Sequence, residues 1–226
     1  MESLYWRSSY ECLVEVGISY GTNGKLPTHF HVESQLTFVV RGKQSFKIKE
    51  EYFEVCEGHG IYIPAGTPHS SDFQTVRGAS INSFMPAGDY NINGLLDELE
   101  SVWSARGIIT EQILARTVAA HMVNQNAEGA IMGVVPDEEI YSVKSAASLS
   151  GITREGYTRM FTRKYGISPY ALWLTCRLNA ARRLLRLGYE VAEVAADMGF
   201  YDQSHLGRHF RKSFGISPGK YRRGYM

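Results

Sequence analysis

Apolar and polar residues alternate at short intervals over the first third of the chain. Residues 12–20, 36–40, 45–49, 52–56, 61–63 and 79–84 each form such a run, and Gly and Pro punctuate the gaps. Short strands at this spacing predict a β-sandwich or barrel over residues 10–85. Arg41-Gly42-Lys43-Gln44, between two of the runs, predicts a hairpin. The period changes near residue 94. Leu95, Leu96, Leu99, Val102 and Trp103 fall on one face of a helix that Gly107 ends. A second helix is expected from Thr110, its N-cap, with Ile113, Leu114, Thr117, Val118, His121 and Met122 on one face. Residues 124–136 lose periodicity, and from Glu139 onward the pattern is helical. The expectation is an α+β chain of two domains. The first, 1–128, holds a β-barrel to about residue 90 and helices at about 94–126. A linker, 129–136, leads to an all-α domain, 137–226.

The helical half contains a repeat. Arg159-Met-Phe-Thr-Arg-Lys-Tyr-Gly-Ile-Ser-Pro169 returns as Arg208-His-Phe-Arg-Lys-Ser-Phe-Gly-Ile-Ser-Pro218, an offset of 49. Upstream, Ala147 and Gly151 return as Ala195 and Gly199, an offset of 48, so Tyr201 is an extra residue in the second turn. Each copy reads as a short helix with a small residue, a Gly turn, a polar N-cap (Thr153 or Asp202) and a second helix, the helix-turn-helix plan. Ile152, Tyr157 and Phe161, or Phe200, Leu206 and Phe210, would hold the second helix inward. Arg154, Glu155, Thr158, Arg159 and Arg163 would face outward in the first copy, and Gln203, Ser204, Gly207, Arg208 and Arg211 in the second. Arg, Gln, Ser and Thr near a helix N-terminus suit base edges in a major groove. The intervening helix carries Leu174, Leu178, Ala181 and Leu185 as an apolar stripe. Arg177, Arg182, Arg183 and Arg186 fall mostly off that stripe, where each taken alone reads as a solvated face. This rod would set two reading helices roughly 34 Å apart, one turn of duplex.

Charge sharpens the division. The chain of 226 residues has a net charge of +1, yet residues 1–140 hold nine basic and eighteen acidic side chains, a net −9. Residues 141–226 hold fifteen and five, a net +10. A drift of charge along one chain would do this too, but the coincidence with the repeat points to a polyanion as partner of the second half. Three distant cysteines, Cys12, Cys56 and Cys176, suggest neither a disulfide framework nor a zinc knuckle. No apolar run approaches the about 18 residues of a membrane span, and the first residues lack a signal-peptide pattern, so no membrane partner and a cytoplasmic location are expected.

Two resemblances follow from these residues. Residues 137–224 resemble the DNA-binding domain of the AraC/XylS family of bacterial transcription regulators. Arg177-Leu-Asn-Ala-Ala-Arg-Arg-Leu-Leu185 and the long stretch from Val194 to Arg222, with its Gly-Phe-Tyr-Asp-Gln-Ser-His-Leu core, carry the likeness. The resemblance implies seven helices and places base-reading positions on Glu155, Thr158 and Arg159, and on Gln203, Ser204 and Arg208. Gly207 stands where a larger side chain is common. The first half resembles a cupin. His29-x-His31 with Gly42 is similar to its first motif, and Gly58 with Pro64-x-Gly66-x-x-His69 to its second. A metal-binding cupin has a Glu where this chain has Gln35, and an amide is a weaker ligand. Glu33 lies two residues away on the same strand face as a substitute. No cofactor is therefore expected, and a metal at His29, His31 and His69 is the minority reading. His59, between two glycines, is placed on a loop.

The expected function is a DNA-binding regulator, an activator by its family, in which the barrel binds a small-molecule effector. His29, His31, Gln35 and His69 would orient the ligand, and Phe38 and Tyr62 would supply apolar wall if the strand register turns them inward. Leu95, Leu99, Val102 and Trp103 would form a homodimer seam, and RNA polymerase is the partner that the family implies. Two alternatives stay open: a metal-dependent cupin enzyme fused to a DNA-binding domain, and a constitutive DNA-binding protein whose barrel is structural.

Overall fold

Alternating side chains decide how the N-terminal strands layer. The computed structural model describes residues 2–21, 25–74, 77–124 and 143–224. A five-stranded sheet has the order β1 (Glu2–Arg7), β2 (Glu15–Gly21), β9 (Gly78–Met85), β4 (Ser34–Arg41), β7 (Gly60–Ile63). A four-stranded sheet has the order β3 (Lys25–His29), β8 (His69–Phe73), β5 (Lys43–Ile48), β6 (Glu51–Cys56). Neighbours pair antiparallel. Val39 and Ile63 of the first sheet pack on Phe46 and Val55 of the second, which closes the barrel.

The hairpin expected at Gly42 does not form. β4 pairs with β7 and β9, whereas β5 pairs with β6 and β8. Gly42, at φ +78, turns the chain from one sheet to the other. The turn residues mark a change of direction without naming the partner that follows.

On β4, Gln35, Thr37 and Val39 face the barrel interior, and Leu36, Phe38 and Val40 face out beneath two helices. These are α1 (Ile92–Arg106) and α2 (Glu111–His121). Asn91 caps α1 by accepting from the Gly94 N–H, Gly107 ends it in the left-handed region, and Thr110 caps α2. The second helix stops five residues short of the expected 126, because Met122–Asn124 forms a short strand, β11, against β10 (Asp89–Tyr90). Leu95 and Leu99 are wholly buried in the core shared with the barrel, and Val102 and Trp103 are half-buried beside it. The seam expected from these four residues is thus largely spent inside the chain: they fasten α1 to the sheet.

The linker expected at 129–136, and residues 137–142, lie outside the described residues. Among the described residues six helices follow: α3 (Val143–Leu149), α4 (Arg154–Tyr165), α5 (Pro169–Arg186), α6 (Val191–Asp197), α7 (Gln203–Phe214) and α8 (Pro218–Arg223). Ser168 and Ser217 cap α5 and α8, with Pro at the first helical position of each. Leu178, Ala181 and Leu185 of α5 share one core with Val194 and Ala195 of α6, Leu206, Phe210 and Phe214 of α7, and Tyr221 of α8. Phe161, Ile167 and Leu172 form a second core around the first copy, which the barrel completes with Phe30. No described helix is long and apolar enough to cross a membrane.

Candidate nucleic-acid interface and barrel site

Both copies of the repeat fold by the same local device. Ala147 and Ala195 are buried where the short helix meets the long one. After each, a glycine takes the left-handed region, Gly151 at φ +66 and Gly199 at φ +63. The amide of Ile152 then donates to the Ala147 carbonyl at 3.2 Å, and that of Phe200 to Ala195 at 2.8 Å. Thr153 accepts from the Gly156 amide, and Asp202 from that of His205, to start the second helices α4 and α7. Tyr201, the extra residue, stands out in solvent at 92% exposure.

The polar faces of these helices are open. Arg154, Glu155, Arg159 and Arg163 are exposed on α4, as are Gln203, Ser204, Arg208 and Arg211 on α7. Thr158 is half-buried and its hydroxyl donates back to the Arg154 carbonyl at 2.8 Å. Glu155 lies in the first turn of α4, where the helix dipole favours a carboxylate. That placement gives it a role in stabilising α4 besides any contact to a cytosine amine.

The arginines of α5 do something other than form a solvated face. Arg177 lies between the rings of Trp173 and Phe200, each 4.2 Å from the guanidinium carbon, and donates to the Met198 carbonyl. Arg182 is 2% exposed. It donates to Glu15 of β2 at 2.5 Å, to the Tyr221 hydroxyl at 3.1 Å and to His31 Nδ1 at 3.2 Å. Arg186 donates to Glu15 at 3.0 Å and to Glu33 at 2.6 Å, and the Tyr221 hydroxyl donates to Glu15. Two carboxylates of the barrel and two guanidinium groups of α5 therefore form a buried, charge-balanced cluster between the halves of the molecule. Burial pushes the Glu33 carboxyl upward, but Arg182 and Arg186 outweigh it and hold it below its usual range. Among the α5 arginines only Arg183 is exposed. Glu33 is committed to Arg186 and does not substitute for a carboxylate at Gln35.

Within the barrel the structure gathers His29, His31, Gln35 and His69 around one cavity of about 20 Å³. His29 and His69 are directly paired across β3 and β8. The three rings are 4.5, 4.8 and 5.4 Å apart between centres. Gln35 opens a polar chain through the interior: its amide donates to Thr37 at 2.9 Å, Thr37 donates to Asn82 at 2.8 Å, and Asn82 donates to Ser19 at 3.0 Å. Ser213 and Phe214 of α7 line the same cavity, so the barrel site touches a helix of the second repeat directly. Burial is the main reason that His29 is pushed down to about 3 and His69 to about 4, and it holds His31 well below its ordinary value. Phe38 and Tyr62, expected as ligand wall, lie on the opposite face of the sheet. Phe38 packs on Trp103, and the Tyr62 hydroxyl donates to Ser34. His59 is exposed in the turn before β7.

The contact of Glu15 with Arg182, Arg186 and Tyr221 is the part of this arrangement that the sequence does not announce. One signal was present: Glu15 interrupts Leu13-Val14-x-Val16, a charge at a position that an apolar strand buries.

Residues 13–128 match the AraC-like ligand binding domain, and residues 146–224 match a helix-turn-helix domain. The chain belongs to the AraC family of helix-turn-helix transcriptional regulators, a family of regulators and not of enzymes. It is 30% identical over 89 residues to the HTH-type transcriptional regulator MtrA of Neisseria gonorrhoeae, which is 39% of this chain and 29% of that one. Over 200 residues it is 22% identical to the RCS-specific HTH-type transcriptional activator RclR of Escherichia coli (strain K12), 85% of this chain and 70% of that protein. The chain spans less than half the length of several such curated relatives. Its fold is similar to that of unsaturated fatty acid bound ToxT from Vibrio cholerae strain SCE256. The TM-score is 0.52 at 11% identity, over 92% of this chain and 94% of that one.

Proposed function

We propose that the chain is a ligand-responsive transcription activator that grips promoter DNA through the outer faces of α4 and α7. The observation that carries the reading is the division of each of these helices. One side is sunk in a core, while Arg154, Arg159 and Arg163, or Gln203, Ser204, Arg208 and Arg211, remain free on the other. RclR, named an activator, supports the sign of regulation, and contact with RNA polymerase is the route that the family suggests. The half-buried Val102 and Trp103 leave part of the α1 stripe for a second copy, which supports a homodimer. The effector belongs in the barrel, where His29, His31, Gln35 and His69 converge. A 20 Å³ cavity is far below the roughly 300–1,000 Å³ of a drug-sized ligand site. The fatty acid seen in ToxT is therefore a poor guide to the occupant here.

The test uses a duplex selected by the wild-type chain from a random pool. Arg159→Ala and Arg208→Ala are each expected to weaken binding by about 1–3 kcal/mol and to relax base preference at one position. Affinity should fall steeply with salt. Unchanged footprints in both variants would overturn the assignment.

A further inference from the structure

Helix α7 carries two histidines one turn apart, His205 and His209, both half-buried. The Phe200 ring lies 5.6 Å from His205 and 6.3 Å from His209 between centres, and the Arg177 guanidinium carbon is 4.2 Å from the same ring. The hydrogen bonds of the pair fix its protons. A backbone N–H only donates. That of Tyr201 reaches His205 Nδ1 at 3.3 Å, so this nitrogen is bare and the His205 proton is on Nε2. His205 Nε2 then donates to His209 Nε2 at 3.0 Å, which leaves the His209 proton on Nδ1. Both basic nitrogens of the pair are thus taken, one by the Tyr201 amide and one by the neighbouring ring. An extra proton enters only where one of these bonds gives way. The Tyr201 bond is the longer and lies in the exposed turn. A proton on His205 Nδ1 keeps the link between the rings, now charge-assisted. It also sets two donors, His205 Nδ1–H and the Tyr201 N–H, against each other. They need a shared acceptor, and an anionic oxygen is the one that suits a charged donor best.

Charge around the pair selects the same kind of partner. Arg177 of α5 and Arg208 and Lys212 of α7 act on it, while Asp202, the carboxylate of the turn, is committed to the His205 amide at 2.6 Å. Burial first, then His205 and the three cations, hold His209 below its ordinary value. We propose that His205 and His209 form a further DNA contact, a seat for one backbone phosphate that takes up a proton as the duplex binds. The inference rests on the reading of α7 as a DNA-binding helix. A phosphate offsets the three cations and accepts from both donors at the turn, so the proton that the free pair resists becomes favourable once the phosphate is in place. By linkage, what binds together with a proton binds more tightly as pH falls. Histidine is the side chain whose ordinary range falls between pH 5 and 8, and residues 122–226 hold no histidine besides these two. Burial pushes the Cys176 thiol up to about 11, outside that range. The first repeat has Gly156 and Met160 at the matching places, so the device belongs to α7 alone.

The test uses the full chain and the duplex it selects. Calorimetry in buffers of different ionisation enthalpy should show a net uptake of protons on binding. Affinity should rise by about tenfold from about pH 8 to about pH 6, the order expected for one linked proton. The salt dependence should steepen over the same range by about one phosphate contact. An unrelated duplex should gain in the same proportion, because a phosphate carries no sequence information. His205→Asn keeps an acceptor for the Tyr201 amide but takes no proton. It should lose the uptake, the rise and the steepening while keeping the wild-type circular dichroism spectrum. His121→Gln, in the barrel half, should keep all three. No uptake by the wild-type chain, uptake that His205→Asn retains, or a rise confined to the selected duplex would each overturn the proposal. Failure of the underlying reading looks different. Arg208→Ala then leaves the footprint unchanged, whereas a wrong phosphate seat leaves the Arg208→Ala result intact and removes only the response to pH.

Discussion

Glu15 is the residue on which the two halves converge: Arg182, Arg186 and Tyr221 all donate to it, and it is wholly buried. Removing one partner of a buried ion cluster is far costlier than the cluster is worth, because the remaining charges stay desolvated. Glu15→Gln should therefore destabilise the protein by about 3–5 kcal/mol and lower the melting temperature by about 10 °C, as read by thermal unfolding. The buried histidines give a second prediction. They are held neutral, with His29 at about 3 and His69 at about 4, against an ordinary value of about 6.5 in the unfolded chain. Between those values the unfolded chain binds more protons than the folded one, so stability rises with pH there. Chelator-treated protein should lose stability as pH falls from about 6.5 to about 4. Urea midpoints at neutral and acid pH check it, and a midpoint that does not drop would show these rings titrating in the fold.

At the scale of elements, the capped turns are the most local part of the fold, and they were the most legible. Thr110, Thr153 and Asp202 cap the helices predicted from them, and Gly107 ends α1. Losing the side chain of Asp202, Asp202→Ala, should cost about 1 kcal/mol, measured by denaturant unfolding, with weaker DNA binding because α7 frays at its reading end. Strand partners and strand faces were harder to read. β4 is apolar on its outward face because α1 and α2 cover it, and polar on its inward face because Gln35, Thr37 and Asn82 satisfy one another there. A strand buried on both sides shows no clean alternation, so the pattern leaves open which way Phe38 and Tyr62 turn, and the register turns both outward beneath the helices. The histidine trio survived this difficulty because its spacing alone puts His29 and His31 on one face, and His69 reaches them through the pairing of β3 with β8.

At the scale of the whole molecule, what escaped the sequence is the contact between halves. Arg182 and Arg186 look like any polar helix positions until β2 and the segment before β4 bring Glu15 and Glu33 against them. The stretch from His29 to Glu33 faces both ways. His29 and His31 turn into the cavity, Phe30 seals the core of the first repeat and accepts from Asn179 at 3.0 Å, and Glu33 ties α5. A fragment of residues 1–130 should keep its strands but leave Phe30 bare and its two carboxylates unmatched. It should melt below the intact chain and bind no duplex, by calorimetry and gel shift.

Both turn-helix pairs are hung on α5, and the barrel holds that helix along its second half through Asn179, Arg182 and Arg186. Whatever moves it carries the two together, like the teeth of a single key. Inserting a base pair between the two stretches of operator should then cost the same fraction of affinity whether or not the barrel is occupied.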